Sequence, residues 1–356
     1  MPNNYYPILK TTIAEMRALK KLDFVAWRNI TPILELTKSR KSKNNQESCV
    51  YRKIDEIKEI VGDNEFILDL TNIESLSNEQ IESFQSDRNG FENWCSFISE
   101  VRESNLNVIP MLIAYPDNTI DDLVLEMQQL CAITQKIAVR IPICEPDLDE
   151  LFIILRQILC QNYAGIGYII FDGGYIHDEI IDPLPLVNII SSFCSELPDS
   201  FSGKVVFASS SFPASAIERV SGNKFNNSFY LQTLPLFKRV VDGLRDNGVK
   251  KDIFFGDYAC IHPNRNESKA YNWIPRIDYP TVDKIYFSRS RREEGGYIEC
   301  AKMISSLSCF KNDSLQCWGM AEIRRTSAGS PGGKSPSYWI SVRSNIHMSR
   351  MALING

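Results

Sequence analysis

The sequence has only three histidines, and none of its ten cysteines falls in a C-x-x-C pair. A tetrahedral zinc site needs clustered Cys or His ligands, so zinc chemistry does not fit this chain. The scattered thiols, such as Cys131, Cys160 and Cys194 on apolar helical faces, read as reduced core residues of a cytosolic protein. No apolar run approaches the roughly 18 residues that a membrane span requires. Met1-Pro-Asn-Asn-Tyr-Tyr6 lacks a charged-then-apolar leader, so secretion is not expected. Ser209-Ser-Ser211 has no G-x-S-x-G context, which removes that serine-nucleophile signature. Gly173-Gly174 is too short for a phosphate loop and reads as a tight turn. No internal repeat is visible.

What is present is an ordinary globular composition, 44% apolar and 23% charged over 356 residues, enough for one large or two medium domains. The net charge of −5 hides an asymmetry: residues 259–356 carry 14 Lys/Arg against 8 Asp/Glu, leaving the rest acidic. A basic region on an acidic body suggests an anionic partner, or a solvated basic face.

Short, nearly continuous apolar runs recur along the chain, separated by helix-like stretches. They are Tyr5–Leu9, Ile30–Leu36, Phe66–Leu70, Val108–Ile113, Ile137–Ile141, Tyr168–Asp172, Lys204–Ser210 and the run from Ile253 to Asp257. Runs of this kind are expected of parallel strands covered on both faces. Eight of them predict an α/β fold of the (β/α)₈ TIM-barrel-like type over residues 1–258, with a doubly wound open sheet as the rival. Phe229-Tyr-Leu231 reads as a loop entering the Pro235 helix. Residues 259–356 then form a C-terminal extension of two strands (275–279 and 283–289) and a helix (296–304), packed on the barrel. Residues 326–337 have the composition of a flexible loop.

The most distinctive stretch is Phe255-Gly-Asp-Tyr-Ala-Cys-Ile-His-Pro263. Together with Tyr6-Pro-Ile-Leu-Lys10, Glu15, Ala18-Leu19, Ile30-Thr-Pro-Ile-Leu-Glu35, Gly295-Gly296, Trp339 and Asn345-Ile-His347, it resembles the beta protein family of phages and bacteria. The resemblance spans nearly the whole chain. Related chains carry a His-His pair where Ile346-His347 stands. The resemblance implies a phage-associated protein serving host–phage conflict or antiviral defence, and it carries no settled reaction.

Functional groups of such barrels sit at the C-terminal strand ends. Reading those ends gives Lys10, Glu35, Asp69, Arg140, Asp172, Ser209 and Asp257. Lys10 and Arg140 neutralising Glu35, Asp69 and Asp172 is one reading of the set. Convergent carboxylates are also the oxygen donors that Mg or Mn prefers, so a metal-dependent phosphodiester hydrolase using Glu35, Asp69, Asp172 and Asp257 is a second. None of the four lies in an Asp-x-Asp, His-x-Asp or Glu-x-Lys arrangement. A glycosidase using two of them is compatible with the fold, and nothing selects it.

The cations point to binding. Lys38, Arg40, Lys41 and Lys43 leave the second strand, while Arg289, Arg291 and Arg292 leave the C-terminal strand pair beside Tyr286, Phe287 and Tyr297. Guanidiniums grip phosphate and aromatics stack on bases, so these loops are candidates for nucleotide or nucleic-acid contact. Arg291-Arg292-Glu293-Glu294 reads equally as a self-neutralising loop. Tyr258, His262, Trp339, Arg343 and His347 complete the ligand-binding candidates, with His177 in a rim loop. A protein-recognition module without catalysis remains the third functional class.

Overall fold

Alternation within the parallel strands sorts their apolar side chains into two cores, one inside a barrel and one outside it. The computed structural model describes residues 5–41, 48–144, 148–161, 165–176, 182–264 and 273–354. His177 and Lys43 lie outside the described residues.

The strands are β1 (Tyr5–Lys10), β2 (Ile33–Leu36), β3 (Phe66–Leu70), β4 (Val108–Pro110), β5 (Ile137–Pro142), β6 (Ile166–Tyr175), β7 (Lys204–Ser210), β8 (Asn226–Tyr230), β9 (Ile253–Asp257), β10 (Arg276–Pro280) and β11 (Lys284–Arg289). Eight of them form one parallel sheet in the order β4-β3-β2-β1-β9-β7-β6-β5. A bridge between Met111 and Ala138 brings its two ends together, with the Leu112 N–H donating to the Ala138 carbonyl at 2.8 Å. The fold is therefore the expected TIM-barrel-like one, and β9 takes the expected place between β1 and β7.

Inward side chains, among them Tyr6, Ile8, Ile33, Ile67, Tyr168 and Val206, fill the barrel. Their neighbours Tyr5, Leu9, Leu34, Leu68 and Phe255 face the helix layer. Gly256 is required in β9 because a Cβ there would lie 2.8 Å from the Ala208 Cβ and 2.9 Å from the Tyr6 carbonyl.

The C-terminal extension holds more than two strands and one helix. β10 and β11 form the expected hairpin, and β8 adds to it antiparallel, from Lys284↔Tyr230 to Ser288↔Asn226. The segment around Phe229 is thus a strand rather than a loop. Only Phe229 and the adjoining Leu231 bring it buried apolar area, so it has no strand-like run of its own. Helices Gly296–Ser306, Ser308–Lys311, Trp318–Ser327 and Pro336–Ile354 cover this sheet. The polar loop expected at 326–337 spans 328–335, since both its ends are helical, and Gly333 accepts the Trp339 indole N–H at 3.1 Å.

The terminal helix is the link between the two units. Its Trp339, Val342 and Ile346 belong to the C-terminal core, whereas Met348, Met351 and Ala352 belong to the core outside the barrel. Asn345 accepts from the Gly319 N–H at 2.9 Å and donates to the Ala18 carbonyl at 3.1 Å. No helix among the described residues is long and apolar enough to cross a membrane.

Candidate functional site

Strand register puts Lys10, Glu35 and Asp69 side by side at one level of the barrel, since Lys10 pairs with Glu35 and Glu35 with Asp69. Arg140 reaches across from β5. Its Nη1 donates to Glu35 Oε1 at 2.8 Å and to Asp69 Oδ2 at 2.7 Å, and its Nη2 to Asp172 Oδ2 at 2.6 Å. Nε adds a bond to Asp172 Oδ2 at 2.9 Å, and Nη2 a further one to the Tyr258 hydroxyl at 2.8 Å. Tyr258 donates in turn to Asp172 at 2.6 Å, and Lys10 Nζ lies 3.2 Å from Glu35. The neutralising network anticipated for Lys10 and Arg140 is the one that forms, with Tyr258 as an additional member.

Buried charges persist only when paired, and these are. Burial pushes the Glu35 carboxyl up, but Lys10 and Arg140 outweigh it and hold the group below its ordinary value. For Asp69 burial prevails, helped by the Glu35 charge, and its carboxyl is raised. Burial likewise raises the Tyr258 phenol, which remains a donor. The donor set does not fit a divalent cation: one oxygen of each carboxylate accepts from Arg140, Asp69 and Asp172 accept with the other from the Leu70 and Gly174 N–H groups, and the second oxygen of Glu35 lies 3.2 Å from the Lys10 ammonium. Among the described residues no group of three or more His, Cys, Asp and Glu is arranged to hold a metal ion.

Asp257 is not part of this ring. In β9 the inward positions are Phe254 and Gly256, followed by Tyr258, so the pleat turns Asp257 outward. There it accepts from the Tyr5 hydroxyl at 2.6 Å and the Ala259 N–H at 2.8 Å, and His347 Nε2 of the terminal helix lies 2.5 Å from its other oxygen. Burial alone would lower the His347 pKa. The adjacent Cys260 sulfur and Asp257 carboxylate outweigh it and raise the imidazole to about 10, so the pair is ionic. Ser209 is also buried, opposite Asp257 in the β7–β9 register.

Above the ring lies a cavity of about 1310 Å³, larger than the roughly 300–1,000 Å³ typical of small-molecule pockets. Its floor includes Lys10, Thr11 and Thr37, and the Thr11 hydroxyl accepts from the Thr37 N–H at 2.8 Å, tying the ends of β1 and β2. One wall is the stretch after β2, with Lys38, Arg40 and Lys41. Ser39 anchors that stretch: its side chain accepts from the Cys49 N–H at 2.8 Å and its carbonyl from the Ser48 hydroxyl at 2.9 Å. Arg40 and Lys41 are exposed, and none of the three cations has a carboxylate partner among the described residues. The opposite wall carries Phe212, His262, Arg276 and Arg343. His262 is half-buried, 4.4 Å from Tyr175 between ring centres, and its Nδ1 accepts from the Asn264 N–H.

The remaining candidates separate. Trp339 is buried, stacked on Tyr297 at 5.3 Å, and serves packing. Arg289 and Arg291 do not line the cavity: Arg289 donates to the Lys224 carbonyl and covers Phe225, and Arg291 is exposed at a 3₁₀ turn. The basic stretch after β2 and Arg289 and Arg291 therefore do not line the same cavity. Arg276 and its partner Asp278 were missed, because a strand pair after the barrel reads as scaffolding. The signal was the alternation Arg276-x-Asp278, two charges on the same face of a strand otherwise covered by helices.

With this geometry in view, comparisons with known proteins give the following. The family profile described as "Beta protein" matches residues 5–353. Protein beta of Enterobacteria phage P4 is 28% identical over 355 residues, covering 98% of this chain and 92% of its own. Among solved structures, SrfJ from Salmonella typhimurium aligns at 11% identity and a TM-score of 0.41, over 72% of this chain and 65% of that one. The spore cortex-lytic enzyme SleL of Bacillus megaterium QM B1551 aligns at 10% identity and a TM-score of 0.38, over 96% of this chain and 74% of that one.

Proposed function

This chain belongs to the beta protein family, and from that premise we propose that it binds an anionic ligand, a nucleotide or nucleic acid, in the cavity over the barrel mouth. One observation carries the reading. The carboxylates at the barrel centre are committed to Arg140 and Lys10, while Lys38, Arg40 and Lys41 line the open cavity with no carboxylate partner among the described residues. Unpaired cations on a concave wall attract phosphate, and the half-buried His262 ring offers a surface for a base to stack on. The phage relative supports a role in host–phage conflict. The hydrolase alternative would need Glu35, Asp69 and Asp172 released from Arg140, and no observation favours that.

The test is fluorescence anisotropy with short single-stranded oligonucleotides and nucleotides across a salt series. Binding should weaken steeply with salt, and Lys38→Ala, Arg40→Ala or Lys41→Ala should each reduce the log–log slope by about 1. Salt-independent binding would sink the proposal, as would silence toward every probe.

A further inference from the structure

The cavity's far wall holds more positive charge than its neighbours neutralise. Arg276 and Arg289 stand directly opposite one another across the β10–β11 hairpin. Like charges in that position destabilise a sheet. Arg343 approaches the same place from the terminal helix, and Arg276 and Arg343 share one carboxylate. Asp278 lies 3.0 Å from Arg276 Nε and 2.6 Å from Arg343 Nη1. The result is two guanidiniums on a single carboxylate, with a third, that of Arg289, across the hairpin from Arg276 and outside the cavity.

Arg343 is the telling member. It is 3% exposed, its guanidinium sits 4.0 Å over the Phe212 ring, and its Nε has no hydrogen-bond partner among the described residues. A buried guanidinium with an unpartnered N–H is expensive to keep, and Arg343 also lines the cavity. Arg276 lines it too, with 26% of its side chain accessible.

Resting on the anion-binding reading above, we infer that the Arg276–Asp278–Arg343 cluster is a subsite for a terminal phosphate group. Arg276 and Arg343 share the single charge of Asp278, and Arg289 across the hairpin adds positive potential from outside the cavity, so the place favours the more highly charged of two anions. A phosphomonoester carries roughly −1.5 to −2 at neutral pH, whereas a phosphodiester within a strand carries about −1. Burial selects in the same direction. Only a compact group at the end of a ligand can reach a side chain as enclosed as Arg343, while the exposed Arg40 and Lys41 can follow a backbone passing through the open side. The guanidinium fork suits this task because its planar donors match phosphate oxygens. The shared chemistry is a phosphomonoester, supplied by a free nucleotide or by the phosphorylated end of a strand.

The experiment compares three probes on the full chain: a tetranucleotide phosphorylated at the 5′ or the 3′ end, the same strand without terminal phosphate, and a nucleoside monophosphate. In the wild type the terminal phosphate should strengthen binding about tenfold or more, as expected for charge-assisted bonds to a buried guanidinium. In Arg276→Gln, which keeps the Arg343–Asp278 pair, that ratio should fall below about threefold. Lys41→Ala should weaken both strands and preserve the ratio. Arg343→Lys, which keeps the charge and removes the Nε donor, should reduce the ratio as Arg276→Gln does and stands in for it if that variant fails to fold. A monophosphate binding within about tenfold of the phosphorylated strand identifies the source as free nucleotide, and one far weaker identifies a strand end. Salt-dependent binding that ignores the terminal phosphate at both ends overturns this inference alone, as does a ratio unchanged in a folded Arg276→Gln or Arg343→Lys variant. No binding by any probe overturns the anion reading as well.

Discussion

The barrel centre and the cavity above it are built from the same residue types and treat charge in opposite ways. At the centre, Arg140 gathers Glu35, Asp69 and Asp172, and hydrogen-bonding groups of opposite character face one another. On the cavity wall, Lys38, Arg40 and Lys41 face an open space of about 1310 Å³. A closed network stabilises the fold by avoiding unpaired buried charge, while an open set of cations leaves its electrostatic energy available to a ligand. The lesson is that charge density at a barrel mouth does not mark the binding site until its partners are counted.

The sharpest way to break the contrast is to remove the hub. Arg140→Met leaves three buried carboxylates with Lys10 as their one cation within salt-bridge distance among the described residues. It should cost about 3–5 kcal/mol, seen as a fall in melting temperature on the order of 5–10 °C. Adding Asp69→Asn to that variant should recover part of the loss, because one uncompensated charge is removed. A variant as stable as the wild type would show that the network is not structural.

Next in size is the second closed pair. His347→Gln strands Asp257 with Tyr5 and should destabilise by about 3 kcal/mol. The sign with pH follows from the raised imidazole. Stabilisation from charged His347 is fully present below its unfolded value of about 6.5 and is lost as pH rises through its folded value of about 10. The melting-temperature gap between wild type and variant should therefore narrow between about pH 6.5 and 10. A gap that widens over this range would contradict the ionic pairing.

The cavity should respond in the opposite manner. Lys38→Ala, Arg40→Ala and Lys41→Ala should each change stability by less than about 0.5 kcal/mol while weakening oligonucleotide binding several-fold at low salt. Smallest of all is Arg291→Ala, which lies away from the cavity and should alter affinity by less than about twofold. A larger loss there would extend the binding surface to the 3₁₀ turn.

The barrel was legible because parallel strands covered on both faces are largely apolar, which makes runs such as Phe66–Leu70 and Ile137–Ile141 stand out. Arg140, Glu35, Asp69 and Asp172 were legible for the complementary reason, as charges interrupting or ending such runs. Which face each one takes was not. Asp257 and Tyr258 are consecutive, and only the register of β9 against β1 shows that the tyrosine enters the ring and the aspartate leaves it. Distant pairings were harder still. β8 carries Asn, Ser and a single buried Phe, and its strand character comes from the β11 edge it meets, not from local preference. The same holds for Arg343, whose place beside Arg276 and Asp278 depends on the path of the terminal helix.

That path has a consequence for how the molecule is made. β8 precedes the last barrel strand, yet its hydrogen-bonded neighbour β11 lies more than fifty residues later, and Asp257 meets its histidine ninety positions on. A ribosome releasing this chain delivers every barrel strand before it delivers those partners. Until then β8 lacks the strand it pairs with and Asp257 lacks its counter-ion, so the barrel's long-range pairings close only with the hairpin and the helix Pro336–Ile354. In the order of synthesis, the barrel strands come before the residues that complete their pairing.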